Sequence, residues 1–233
     1  MRTLPPNSLW SFLVLSLIFS SSIGCSTQGK PRQEDSQKQE QIDEDEKKRK
    51  LNLVDGTYVL NNEKSTLKWK GTDVMRVYQT GSLSFGGYSE IKIMEGKISK
   101  GSLYVDMHTI EPERLPKWAR DKLRTELESP SFFDIKRFPN ASIEILAVKQ
   151  GETENHIANV AITIKGIRRF SSVPIVFEQL DQSTLRLVGS TEVDRTEYGI
   201  VHRMESTVDD MGAALSAINP RFTLNYEIVC ETD

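Results

Sequence analysis

The sequence predicts an all-β domain, a barrel or sandwich of about eight antiparallel strands with one or two short helices, standing behind an export signal and a charged tether. Three observations point there. Apolar and polar residues alternate through most of the chain after Asp55, turn residues interrupt that alternation at short intervals, and only one stretch is clearly helical in spacing. Short strands with frequent turns close into sandwiches or barrels, whereas βαβ folds alternate the two element types.

At the front, Arg2 precedes an apolar run from Leu9 to Phe19. A membrane span needs about 20 such residues, so this run has the length of a secretory h-region. Ser20-Ser21-Ser22-Ile23-Gly24-Cys25 follows and resembles a bacterial lipobox, with Ser22 where leucine is commonest. The expected organisation is a lipoprotein signal peptide over 1–24, a lipidated Cys25 opening a flexible tether over 25–54, and a barrel domain over 55–231. Acylation of Cys25 by two or more chains would hold the protein stably on a bilayer. The expected location is therefore the cell envelope of a bacterium, at the outer membrane or the periplasmic face. From Ser26 to Lys50 the only aliphatic residue is Ile42. Such a tract buries too little surface to offset chain entropy. The pairs Asp43/Lys47, Glu44/Lys48, Asp45/Arg49 and Glu46/Lys50 add about 0.2–0.5 kcal/mol each on a helix, too little to hold a short isolated one.

Strand signals then follow in order. Thr57-Tyr58-Val59-Leu60 comes after the turn Asp55-Gly56; Leu67/Trp69, Leu83/Phe85, Ile91/Ile93 and Leu103/Val105/Met107 each show an apolar face at every second residue. Gly86-Gly87 marks a turn or bulge, and Glu95-Gly96 a turn. Ile143/Ile145, Val160/Ile162/Ile164, Val173/Ile175/Phe177, Leu185/Leu187 and Phe222/Leu224/Tyr226/Ile228 continue the pattern. The spacing predicts one helix over Glu113–Glu128, stopped by Ser129-Pro130, and a second short one over Met211–Ile218 before Asn219-Pro220. Eight such strands close into a barrel if no sheet edge is left exposed, and a barrel of that size holds one small ligand or fills with side chains.

Composition excludes several classes of function. With 30 Lys+Arg, 33 Asp+Glu and a net charge of -3, the chain exerts no long-range pull on nucleic acid. A single apolar run rules out a polytopic membrane protein. Two cysteines form at most one bridge, and with Cys25 acylated Cys230 has no partner and is read as a packing residue. His108, His156 and His202 lie far apart and lack metal-ligand spacing, so no metal and no cofactor is expected. No nucleophile elbow or phosphate-cradling loop is present, and no catalytic residue is assigned. Asp106 with His108 is the nearest approach to a titratable pair.

These residues resemble the YceI-like family of exported lipid-binding proteins with a lipocalin-like barrel. The similarity runs through Lys64–Trp69, Gly81–Phe85, Gly96–Ile98 with Asp106–Ile110, Leu127–Ile135, Arg137–Ile143, Val160–Gly166 and Val193–Ile200. It spans roughly Thr57 to Val229. Lys64 and Gln79 stand where the family often has histidines, so no ligand contact of those histidines carries over. The resemblance implies an eight-stranded antiparallel barrel that carries a polyprenyl or quinone-like isoprenoid lipid without catalysis. Leu83, Phe85, Phe132, Phe133, Ile162, Ile164, Phe177 and Phe222 are then candidate wall residues. Arg195 and Tyr198 are candidates for polar contacts at the mouth or for bonds that close the barrel, and Arg195 is read as the latter. Two alternatives stay open: a filled barrel displayed as a protein-interaction module, and a lipid-modifying enzyme. A homodimer is also left open.

Overall fold

A computed structural model describes residues 53–149, 155–203 and 217–232. These fall in one unit of the chain, Glu46–Asp233. The signal, Cys25 and most of the tether lie outside the described residues, as does nearly all of the second expected helix.

Nine strand segments form a single antiparallel sheet: β1 (Gly56–Leu60), β2 (Thr66–Asp73), β3 (Tyr78–Met94), β4 (Lys97–Glu113), β5 (Asn140–Lys149), β6 (Asn155–Ile164), β7 (Ile167–Gln179), β8 (Thr184–Asp194) and β9 (Ile218–Glu231). Each of β2 to β8 pairs with its successor, and β9 pairs back onto β2, which closes the sheet. The segments number nine but the barrel has eight strand positions, because β1 and β2 lie end to end. β1 pairs with the far part of β3 (Gly56↔Ile93, Val59↔Glu90) and β2 with the near part (Leu67↔Leu83, Thr72↔Tyr78). Both also pair with β9. The break between them is held to β9 by Asn61 N donating to Val229 O at 2.8 Å and Val229 N donating to Ser65 Oγ at 3.0 Å. Closure leaves no row of unpaired backbone groups, which is what an open edge would expose.

β3 and β4 each run 17 residues and curve by bulging. Their register shifts between Gly86 and Glu90, where Gly87 has φ +60°, and again between Ser82 and Ser84, opposite Met107–Ile110. Extra residues on one strand increase local bend and twist, so the diglycine is a bulge within one long strand and not a turn between two. The alternation read from the sequence becomes the inward face: Ala158, Val160, Ile162 and Ile164 on β6, Val173, Ile175 and Phe177 on β7, Leu185 and Leu187 on β8, and Leu224, Ile228 and Cys230 on β9 are all buried.

Helix α1 runs Lys117–Glu128, four residues shorter than expected at its start. Glu111–Glu113 are held in the sheet opposite Thr80–Ser82, and Pro116, with φ -55° and ψ 149°, is the last residue before the helix. Its end falls where the sequence places it, with Ser129 extended ahead of Pro130. β9 begins at Ile218, four residues before the expected start at Phe222, so the last residue of the expected second helix is a strand residue. A four-residue 3-10 turn, Arg195–Tyr198, follows β8.

Candidate functional site

Two cavities lie along the barrel. The larger, about 330 Å³, sits between α1 on one side and β2, β3 and β9 on the other. Trp69, Leu83, Ile110, Phe222 and Leu224 come from the strands, and Trp118, Ala119, Leu123 and Leu127 from the helix. Phe132 and Phe133, on the turn after α1, close one end with their rings edge-on at 4.9 Å between centroids. The smaller cavity, about 50 Å³, lies deeper among Leu67, Phe85, Leu103, Ile143, Ile162, Ile175 and Ile228. No carboxylate, cation or imidazole lines it, and burial pushes the hydroxyl of Tyr226 up to about 12. Leu224 borders both spaces.

The polar side chains that border the larger cavity are Thr72, Asp73, Gln79, Lys122, Glu126, Arg195, Arg203 and Asn219. Glu126 Oε1 is met by His202 Nε2 at 3.0 Å and Arg203 Nε at 3.4 Å. The indole N–H of Trp69 is buried and has no hydrogen-bond partner among the described residues. Gly81 lets that indole lie flat: a Cβ there would fall on the ring and on the carbonyl of Glu111.

Arg195 borders the same cavity, yet its donors are spent on the backbone. Nε donates to Asn219 O at 3.1 Å, Nη1 to Ile200 O at 2.8 Å and His202 O at 2.9 Å, and Nη2 to Ile218 O at 2.7 Å. One guanidinium thereby ties the segment after β8 to the start of β9. It is 1% exposed, and burial pulls its pKa down while Asp194 opposes the shift. The geometry is that of a structural brace that also forms wall. Asp194 Oδ1 caps the 3-10 turn by accepting from Thr196 N at 2.9 Å, and Gly199 with φ 71° ends it.

The ten site residues of the sequence analysis divide by place. Leu83, Phe132, Phe133, Phe222 and Arg195 border the larger cavity, Phe85 and Ile162 the smaller. Ile164, Phe177 and Tyr198 are buried but border neither; Phe177 stacks on His156 with centroids 4.2 Å apart. Asp106 and His108 meet at 3.2 Å on the exposed β4 bulge, outside both cavities, so the one titratable pair considered for catalysis faces no enclosed space. Sequence reasoning missed Trp69, Ala119, Lys122 and Glu126. Residues 118, 122 and 126, with 119, 123 and 127, are spaced at the helical interval and form one face. Lys122 and Glu126 sit in that stripe but broke its hydropathy pattern. Among the described residues no group of three or more metal-ligating side chains occurs, and no helix is long and apolar enough to cross a membrane.

Comparison with known proteins places this geometry. The profile of the YceI-like domain matches residues 58–230. The fold resembles BcnA of Burkholderia cenocepacia at 16% identity, covering 73% of this chain and 98% of that one with a TM-score of 0.58. It also resembles a polyisoprenoid binding domain from Saccharophagus degradans implicated in plant cell wall breakdown, at 12% identity, covering 79% and 100% with a TM-score of 0.57. No curated protein matches the chain in sequence.

Proposed function

This chain belongs to the YceI-like family, and from that premise we propose that it binds the apolar chain of an isoprenoid lipid in its larger cavity and carries it without chemical change. The observation that carries the reading is the 330 Å³ space walled largely by apolar side chains, among them Trp69, Leu83, Trp118, Leu123, Phe132, Phe133 and Phe222. Its volume lies within the usual range for small-molecule sites, about 300–1,000 Å³. Each methylene moved there from water gains about 0.8 kcal/mol. At ~30 Å³ for a water-sized group, the space takes roughly ten carbons, about two isoprene units. A longer chain then has two routes, inward past Leu224 toward the smaller cavity or outward through the mouth. The protein is exported and held on the envelope by acyl chains on Cys25, and the tether of about 25 residues gives it an average reach of about 25–30 Å.

Native mass spectrometry of the full chain, purified from a bacterium that exports it, followed by organic extraction, tests the reading. The expected result is a discrete added mass that extracts as an isoprenoid and is reduced in Leu83→Trp, whose larger side chain intrudes on the cavity. A protein that stays ligand-free after incubation with polyprenyl lipids would refute the reading and leave the filled barrel as a protein-interaction module.

A further inference from the structure

We propose that the mouth of the larger cavity is a membrane-docking face, which places the β2–β3 hairpin tip and Trp118 in the headgroup region of an anionic leaflet. The docking face deepens the lipid-binding reading, on which it rests for its purpose.

Two separate parts of the chain bracket the mouth. The hairpin tip exposes Val74, Met75, Val77 and Tyr78, between 44% and 60%. Across the opening Trp118 is 73% exposed. Val77 and Trp118 both border the cavity and are largely exposed, so each stands where the cavity meets solvent. Single exposed apolar side chains are ordinary on a protein surface, whereas a group of them around the opening of an apolar cavity marks an interaction site. The tip is also braced: Asp73 N donates to Val77 O at 3.0 Å, Val77 N donates to Asp73 Oδ1 at 2.8 Å, and Val74 N donates to Ala217 O at 3.0 Å. A braced apolar protrusion keeps its side chains in water at a cost that only an apolar partner recovers.

Charge selects the partner. Arg114, Lys117, Arg120, Lys122 and Arg124 crowd the start and middle of α1, with Asp121 among them and Glu111, Glu113, Glu126 and Glu128 flanking them on either side. Glu111 takes both Arg120 and Arg124, and Lys117 pairs with Asp121. Arg76, Arg114 and Lys122 form no ion pair with a described carboxylate, while Asp73 turns its own carboxylate into the hairpin. These cations oppose the helix itself. The positive end of a helix dipole favours acids, yet the first turn of α1 has none and bears Lys117 and Arg120, while Glu126 and Glu128 stand at its last turn. An anionic surface facing that end accounts for the inversion. Tryptophan and aliphatic residues flanked by Lys and Arg are the composition of interfacial segments. Docking in this orientation joins the cavity to the acyl region, so an isoprenoid need not cross water.

The test uses the full chain with Cys25→Ser and one new thiol, Met75→Cys at the tip or Met94→Cys at the opposite end of β3, each labelled with an environment-sensitive dye. Cys230 does not compete, being wholly buried with its thiol pushed up to about 12. With phosphatidylethanolamine–phosphatidylglycerol vesicles the label at 75 should shift to the blue and the label at 94 should not. Each surface cation contributes about fivefold to binding an anionic leaflet, so Arg76→Gln with Lys122→Gln should weaken vesicle binding by about 25-fold. No shift at 75, equal shifts at 75 and 94, or unchanged binding in the double variant would overturn the proposal; the first assigns the face to a protein partner. Lipid extracted from the same preparations reads the cavity separately. A tip that inserts over an empty cavity supports docking and removes the lipid-binding reading. A loaded cavity with a silent tip does the reverse.

Discussion

Arg195→Ala should unfold the mouth end of the barrel before it affects anything else. The guanidinium makes four bonds of 2.7–3.1 Å to the carbonyls of Ile200, His202, Ile218 and Asn219. A hydrogen bond from a charged group nets about 1.5–3 kcal/mol, so four amount to roughly 6–12 kcal/mol. Alanine returns part of that because it buries no charge, and the lowered pKa of Arg195 shows that burial opposes the charged form. The stranded carbonyls lie partly buried and gain water only if the segment opens. A net loss of about 3–5 kcal/mol is expected, within the range reached when a buried polar network breaks. At about 2–4 °C per kcal/mol for a domain of this size, Tm falls by about 6–20 °C. Arg195→Lys should recover little of this, because an ammonium is a point donor and cannot span carbonyls on two segments. Thermal unfolding followed by circular dichroism, with lipid extraction on the same samples, reads both roles of the residue. An unchanged Tm accompanied by loss of bound lipid would refute the brace and make Arg195 a ligand contact.

Three further outcomes follow from the same geometry. Leu224→Ala should cost about 2–5 kcal/mol, as buried leucine truncations do, while joining the two cavities; chemical denaturation gives the first, and a longer mean chain among extracted lipids checks the second. Burial lowers the pKa of His156 below its ordinary 6.5, so the unfolded chain takes up that proton first as pH falls. Stability should then be unaffected above about pH 6.5 and decline below it, and His156→Phe, stacked on Phe177 in the same way, should flatten that part of the pH–stability profile. Gly81→Ala should destabilise by about 1–3 kcal/mol and change the Trp69 fluorescence, since the new methyl meets both the indole and the carbonyl oxygen of Glu111; a neutral substitution would show that ring and backbone both give way.

Much of the fold was legible because a strand's side chains alternate, and a buried face therefore writes itself into sequence at period two. Val160/Ile162/Ile164 and Val173/Ile175/Phe177 read directly as inward faces, and they are. Pro130 likewise marked the end of α1. The start of that helix was not legible, because pairing of Glu111–Glu113 with Thr80–Ser82 overrides local spacing. Nor was it legible that β1 and β2 share one strand position, since both read as independent strands and only β3 and β9 align them.

For the site the division is sharper. Alternation distinguishes inside from outside but not filled from hollow, so Phe85, Phe177 and Phe222 looked alike on the page. The structure sets Phe222 on the larger cavity, Phe85 on the smaller and Phe177 against His156. Local periodicity and ordered motifs were enough for the strands, the inward faces, the one clear helix and the family to which they point. Tertiary structure alone decided where space is left. A cavity is the volume that side chains from α1, β2, β3 and β9 fail to fill together, and no single segment carries that information.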